Sequence, residues 1–227
     1  RIMRVAAILL AAGQGSRYSA QTATPVAKQY VTLGGWPVIR HAADALAPHV
    51  GLIQPVGDPA LLARALEGFA PEGCAVLPVV PGGETRQASV RAGLEALDHL
   101  PGAERPDLVL IHDGARPYVP ASVTQGVIAA LAGHAGVIPA VPVADTIKRA
   151  KDGIITDTVP RTDLFRAQTP QGFRFGLLRD LHRAAEAADA TDDAALLENA
   201  GHPVAIVPGA EDNIKLTYKE DLVRLER

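Results

Sequence analysis

Short apolar runs alternate with longer amphipathic ones along most of this chain, and that rhythm constrains the fold more than any single residue does. Val5–Leu10 is an unbroken apolar run of strand length, the pattern of a strand buried on both faces. His49–Val56, Cys74–Val80, Asp107–Ile111 and Gly136–Val141 repeat it. Helical stretches lie between: from Pro37 to Leu46, from Asp58-Pro59 to Glu67, Thr85–Leu97 with Val90, Leu94 and Leu97 on one face, and Pro120–Leu131. Asp58 suits a cap, and Pro37 and Pro59 suit first helical positions. Strands alternating with helices predict an α/β chain with a doubly wound, mainly parallel sheet. The 40 alanines against nine aromatics favour helices that sit close on that sheet.

The rhythm breaks after Val141. Thr146–Ala150 and Ile154–Val159 predict a polar β-hairpin with Gly153 at its turn, an arm within residues 145–170 that leaves the core. Helices then resume at Phe175–Ala188 and Asp192–Asn199. Pro203–Val207 and Ile214–Thr217 predict late strands, and a charged helix follows from Tyr218. The 227 residues show no internal repeat and no low-complexity linker, so one domain over residues 1–227 is expected.

Composition removes several function classes. Apolar content of 48% with 21% charged residues excludes general disorder. Cys74 alone permits neither a disulfide framework nor a cysteine zinc site. A net charge of −3 argues against a nucleic-acid binder. The apolar run Val5 to Ala12 is far short of the ~20 residues a membrane span needs. Arg1, Arg4 and Ala11-Ala12-Gly13 imitate a short secretory signal, but a buried strand with a glycine loop accounts for the same residues. A cytoplasmic location is therefore expected.

Ligands of such sheets sit at the carboxyl ends of strands. After the first strand comes Ala12-Gly13-Gln14-Gly15-Ser16-Arg17. Its glycines can turn backbone N–H groups toward an anion, and Arg17 adds a guanidinium suited to phosphate. It is not a Walker loop, and Tyr18 stands where a dinucleotide fingerprint needs its third glycine. Lys28 follows eleven residues later, so the set reads as a triphosphate clamp or as solvated cations beside an ordinary turn. After the third strand, Gly82-Gly83-Glu84 and Ser89 could hold a nucleobase, or Thr85 could simply cap the helix. After the fourth, Asp113 could bind ribose hydroxyls or help position magnesium, with Arg116 beside it; a surface Asp–Arg pair is the plain alternative. His112 reads as structural. Asp192-Asp193 after Thr191 reads as a helix cap, and Lys215 as an edge lysine.

Taken together and in order, these motifs resemble the 2-C-methyl-D-erythritol 4-phosphate cytidylyltransferase family of Rossmann-like nucleotidyltransferases. The resemblance rests on Leu10-Ala-Ala-Gly-x-Gly-x-Arg17, Lys28-Gln-Tyr30, Gly82-Gly-x-x-Arg86-x-x-Ser89-Val90, His112-Asp-x-Ala-Arg-Pro117, Asp145-Thr146, Thr169-Pro-Gln171, Thr191-Asp-Asp193 and Asp212-Asn-Ile-Lys215. It implies transfer of CMP from CTP to 2-C-methyl-D-erythritol 4-phosphate with release of pyrophosphate. It implies Arg17 and Lys28 as the catalytic clamp on the α-phosphate. Ala12, Gly13, Gln14 and Gly15 would cradle the triphosphate, and Gly82, Glu84 and Ser89 would read cytosine. Asp113 and Gly114 would serve the nucleotide, and Asp113, Arg116, Thr146, Arg161, Thr169 and Lys215 the acceptor. Mg2+ would sit mainly on triphosphate oxygens, with Asp113 or Asp212 as possible protein ligands. The resemblance also implies a homodimer built on the arm, with Thr146 and Arg161 acting in the partner's site. A cytidylyltransferase for ribitol 5-phosphate, or a nucleotide-binding module without catalysis, would share much of this pattern. Ala27, Tyr18, Gly114 and Ala195 depart from the family's usual proline, methionine, alanine and serine. Some relatives carry a cyclodiphosphate synthase domain next, so Lys219–Arg227 is either a natural end or a domain boundary.

Overall fold

A computed structural model of the chain describes residues 3–11, 27–185 and 191–226. The glycine loop, with Ala12 through Arg17, lies outside the described residues. In chain order the strands are β1 (Val5–Leu10), β2 (Thr32–Leu33), β3 (Trp36–Pro37), β4 (Leu52–Gly57), β5 (Ala75–Val76), β6 (Val80–Pro81), β7 (Leu108–Asp113), β8 (Gly136–Pro142), β9 (Ile147–Lys151), β10 (Ile154–Val159), β11 (Phe165–Ala167), β12 (Gln171–Arg174) and β13 (Val204–Pro208). The helices are α1 (Val38–Leu46), α2 (Pro59–Ala65), α3 (Arg86–Asp98), α4 (Ala121–Ala130), α5 (Phe175–Ala184), α6 (Asp193–Asn199) and α7 (Lys219–Leu225).

The central sheet runs β11-β8-β12-β7-β1-β4-β5, with β13 beside β8 and β6 beside β4. Strand β1 lies between β7 and β4, parallel to both. Its period of two divides the core. Ala7 and Leu9 face a cluster built with Ile39 and Leu46 of α1 and Val123 and Val127 of α4. Ala6 and Ile8 face the opposite cluster, with Val90 and Leu94 of α3 and Leu178 of α5. A strand buried on both faces has no place for a polar residue, which is why Val5–Leu10 has none. Gly93 lets α3 settle on this sheet: a Cβ there would come within 2.9 Å of Ile8 and 3.0 Å of Val56.

Four expectations need correction. The run Cys74–Val80 is not one strand; only Ala75–Val76 and Val80–Pro81 pair, each with β4. Pro78 has no N–H to donate, and the buried Gln54 amide donates to its carbonyl instead. Ile214–Thr217 is not a strand either; Leu216 N–H donates once to the Ala115 carbonyl as the segment passes the end of β7. Strands β11 and β12 show no strand signature in the sequence: β11 is only three residues long, and β12 follows Pro170 and contains Gly172. Both run antiparallel, so the sheet is mixed although mostly parallel. The arm is also narrower than 145–170, since β11 already pairs with β8.

The hairpin itself is as expected, β9 antiparallel to β10. Asp152 and Gly153 both take positive φ, 50° and 79°, the backbone of a type I′ turn. Ile154 is 71% and Ile155 60% exposed. Among the described residues no helix is long and apolar enough to cross a membrane.

Candidate active site

The carboxyl edge of the sheet gathers residues from five separated stretches. The ends of β1 and β7 supply Leu10, Ala11, Asp113 and Gly114. The turn after the glycine loop supplies Lys28 and Gln29, the first turn of α3 supplies Arg86 and Ser89, and the segment before α7 supplies Lys215. All of these line one cavity. Gln29 is buried and its amide donates to the Ala11 carbonyl at 2.6 Å, tying the two ends of the glycine loop together. Gly114 N–H donates to the Leu10 carbonyl at 2.8 Å. A Cβ at that position would lie 2.7 Å from the same oxygen, so the glycine keeps β1 and the loop after β7 in register.

Asp113 is the anion of this cavity. Lys215 Nζ lies 2.6 Å from its Oδ2, and Arg86 Nε lies 3.7 Å from its Oδ1. Burial alone would push the carboxyl up; the charges of Lys215, Arg86 and Arg116 outweigh it and hold Asp113 well below the usual carboxylate range. Asp113 is therefore ionised at any working pH. Its partners are Lys215 and Arg86, not the neighbouring Arg116 of the surface-pair alternative. Arg116 is buried and donates to the Asn213 carbonyl at 2.5 Å. It lines a second cavity with Arg166, Asn213, Arg224 and, again, Lys215.

His112 is structural, as its sequence setting implied. Its Nε2 meets the Arg116 carbonyl at 3.0 Å, and a carbonyl only accepts, so the proton sits on Nε2. Nδ1 then accepts from Thr169 Oγ1 at 3.0 Å, and that hydroxyl oxygen accepts from Asp113 N–H at 3.1 Å. Burial lowers the imidazole pKa to about 4, so the ring is neutral.

The remaining predicted residues divide clearly. Thr169 is buried, with its hydroxyl occupied between His112 and Asp113. Ser89 Oγ accepts from Gly83 N–H at 3.0 Å and donates to the Thr85 carbonyl at 3.0 Å, so it shapes the Gly82-Gly83 turn while it lines the cavity. Thr85 caps α3 through Ala88 N–H. Glu84 is exposed beside that turn. Thr146 and Arg161 flank the arm, both exposed. Arg161 donates to the Ala144 carbonyl, and neither residue lines the Asp113 cavity of its own chain. Asp212 is exposed and lines neither cavity. The sequence alone singles out neither Arg86, which stands inside the Gly82–Val90 motif, nor Asp193, which reads as part of a cap. Asp192 is the cap, accepting from Ala195 N–H at 3.0 Å. Asp193 points inward instead, which nothing in its local sequence signals.

A mostly parallel α/β sheet whose carboxyl edge carries a cation-rich cavity, lined by Ala11 and Lys28 on the two flanks of a glycine-rich sequence, defines the α/β nucleotidyltransferase fold. The sequence profile described as 2-C-methyl-D-erythritol 4-phosphate cytidylyltransferase matches residues 5–227, and the chain belongs to that family. A protein of that name from Geotalea uraniireducens is 41% identical over 99% of this chain and 96% of its own length. The crystal structure of the Thermus thermophilus protein superposes with a TM-score of 0.77 at 31% identity, covering 99% of this chain and 98% of that one. A bifunctional IspD/IspF enzyme from Gluconobacter oxydans is 64% identical over 99% of this chain, which covers 56% of that protein. The chain thus spans about half the length of the first curated relatives it matches.

Proposed function

We propose that this chain transfers CMP from CTP to 2-C-methyl-D-erythritol 4-phosphate, forming 4-diphosphocytidyl-2-C-methyl-D-erythritol and pyrophosphate. The observation that carries this reading is Lys215, whose side chain borders two cavities at once. On one side are Lys28, Arg86, Ser89 and Asp113; on the other are Arg116, Arg166 and Arg224. A cation shared by a nucleotide site and a sugar-phosphate site lies where two phosphates must meet.

The acceptor's phosphate oxygen attacks the α-phosphorus of CTP, the bond to the β-phosphate oxygen breaks, and pyrophosphate leaves with the electron pair. No general base is needed, because a phosphate monoester is largely dianionic near pH 7. The work falls to positioned charge that meets the negative charge of the α-phosphoryl group in the transition state. Lys28 serves there, with Arg17 and the N–H groups of Gly13, Gln14 and Gly15 from the glycine loop. The Gly82-Gly83 turn, held by Ser89, offers backbone groups to cytosine, with Glu84 at its side. Asp113 accepts from a substrate hydroxyl. Among the described residues no group of three or more acidic, histidine or cysteine side chains could cage a metal. Asp113 is the carboxylate that would stand beside Mg2+ held mainly by triphosphate oxygens. When bound, Mg2+ neutralises phosphate charge.

The arm supports a homodimer. A two-stranded hairpin with two exposed isoleucines is marginal in water unless another surface covers it. Thr146 and Arg161 would then act on the partner's acceptor, and residues 1–227 form one catalytic unit with the arm inside it. The test is pyrophosphate release across four nucleotides with methylerythritol phosphate or ribitol 5-phosphate as acceptor. Release that needs CTP and methylerythritol phosphate is expected, and Lys28→Ala should reduce it by about 100-fold or more. Faster turnover of ribitol 5-phosphate refutes the acceptor, and no turnover with any pair leaves a nucleotide-binding module.

A further inference from the structure

Behind the Asp113 cavity runs a line of paired side chains that the proposed chemistry does not use. Arg86 Nη1 lies 2.7 Å from Asp193 Oδ2, and Asp193 Oδ1 lies 2.9 Å from His182 Nε2. The side chains of Asp193 and His182 are each 1% exposed, whereas Arg86 is 30% exposed and lines the cavity. A carboxylate so deeply buried is retained only when it is well paired. Its place is rigidly set. Asp192, next to it, caps α6 and accepts from the buried Gln171 amide of β12 at 2.9 Å, and β12 pairs with β7, which ends in Asp113.

One guanidinium therefore faces two carboxylates. Its close contact goes to Asp193, and its contact with Asp113 Oδ1 is the looser one, 3.7 Å. Lys215 already occupies Asp113 Oδ2. We propose that Asp193, backed by His182, is a positioning residue: it draws Arg86 away from Asp113, so that one carboxylate oxygen of Asp113 stays open to a substrate hydroxyl. Without the charge on Asp193, Arg86 swings onto Asp113 and covers Oδ1. The inference rests on the reading of this cavity as the nucleotide site.

The sign of the effect separates positioning from simple electrostatics. Removing a buried anion makes the cavity more positive, which by itself tightens binding of a triphosphate. Loss of positioning weakens it. Asp193→Asn should therefore weaken equilibrium binding of CTP about tenfold and raise KM for CTP similarly, with kcat changed less than about threefold. Asp193→Glu, which keeps the charge, should lie within about threefold of the parent chain. Unchanged or tighter CTP binding by Asp193→Asn overturns the proposal. Should that variant fail to fold, Arg86→Lys provides the same test, because an ammonium cannot span two carboxylates as a planar fork does. It should weaken CTP binding to a similar degree, and unaltered binding there also overturns the proposal. Where both variants fold, the double variant should be no weaker than either single one, and additive losses count against coupling. A ligand-free readout keeps the two readings apart. Hydrogen exchange at Arg86 Nε–H, the group that faces Asp113 Oδ1, followed by NMR, should be about tenfold slower in Asp193→Asn. Unchanged exchange refutes the positioning role whatever the chain binds, whereas failure of the parent chain to bind CTP refutes the nucleotide reading alone.

Discussion

Thr169 joins three groups that are remote in sequence or differently oriented: the His112 ring, the Asp113 amide and, through its own carbonyl, the Asn213 amide. None of these contacts reaches a ligand directly, yet together they fix where Asp113 stands. Thr169→Val preserves shape but leaves a buried N–H and an imidazole nitrogen without partners. Each such group costs about 1–3 kcal/mol. The urea midpoint should fall accordingly, and Thr169→Ser should stay near the parent value. At this scale the chemistry-bearing residues Lys28, Asp113 and Lys215 could be picked out from their motifs. Their partners could not. Asp193 looks like a capping residue beside Asp192, and only the approach of α3 to α6 gives it Arg86.

The helices use glycine in two opposite ways. Gly93 of α3 has no room for a methyl group, with Ile8 and Val56 within 3.0 Å of the Cβ position. Gly126 of α4 has nothing within 4 Å of its Cβ position. Gly93→Ala should thus destabilise by about 1–3 kcal/mol through overpacking. Gly126→Ala should stabilise by up to about 1 kcal/mol through helix propensity. Thermal unfolding of the two variants should shift in opposite directions. The contrast also explains which elements were legible. Local pattern exposes α3 through its repeating apolar face and β1 through its unbroken apolar run. Strands β11 and β12 carry no such signal, since their partners β7 and β8 decide their pairing.

Across the whole molecule, the buried charges set how stability responds to acid. The folded chain keeps His112 neutral down to about pH 4, while an unfolded histidine protonates near 6.5. Between those values the unfolded state binds the extra proton, so this contribution is full above pH 6.5 and is lost as pH falls toward 4. It is worth about 3 kcal/mol in all, of which roughly 2 is lost between pH 7 and 5. Asp113 and Asp193 are both held below the ordinary carboxylate range, against burial, by Lys215 and Arg86 and by Arg86 and His182 respectively. Their contributions are present above about pH 4 and disappear as pH falls through their lowered values. Urea unfolding at pH 7 and 5 should show the loss, and His112→Gln should flatten it.

The amino-acid sequence by itself determined the α/β class, the central strand, the protruding hairpin and the family, because these rest on local periodicity and on motifs read within a few residues. The tertiary structure alone decided that β12 enters the sheet antiparallel, that Ile214–Thr217 passes the end of β7 without forming a strand, and that Lys215 faces Asp113. It also decided that a chain with net charge −3 concentrates Lys28, Arg86 and Lys215 around one cavity. Charge composition is a sum over the chain, whereas the field at a site depends on distance. Only the folded backbone brings Asp113 and Lys215, 102 positions apart, to 2.6 Å.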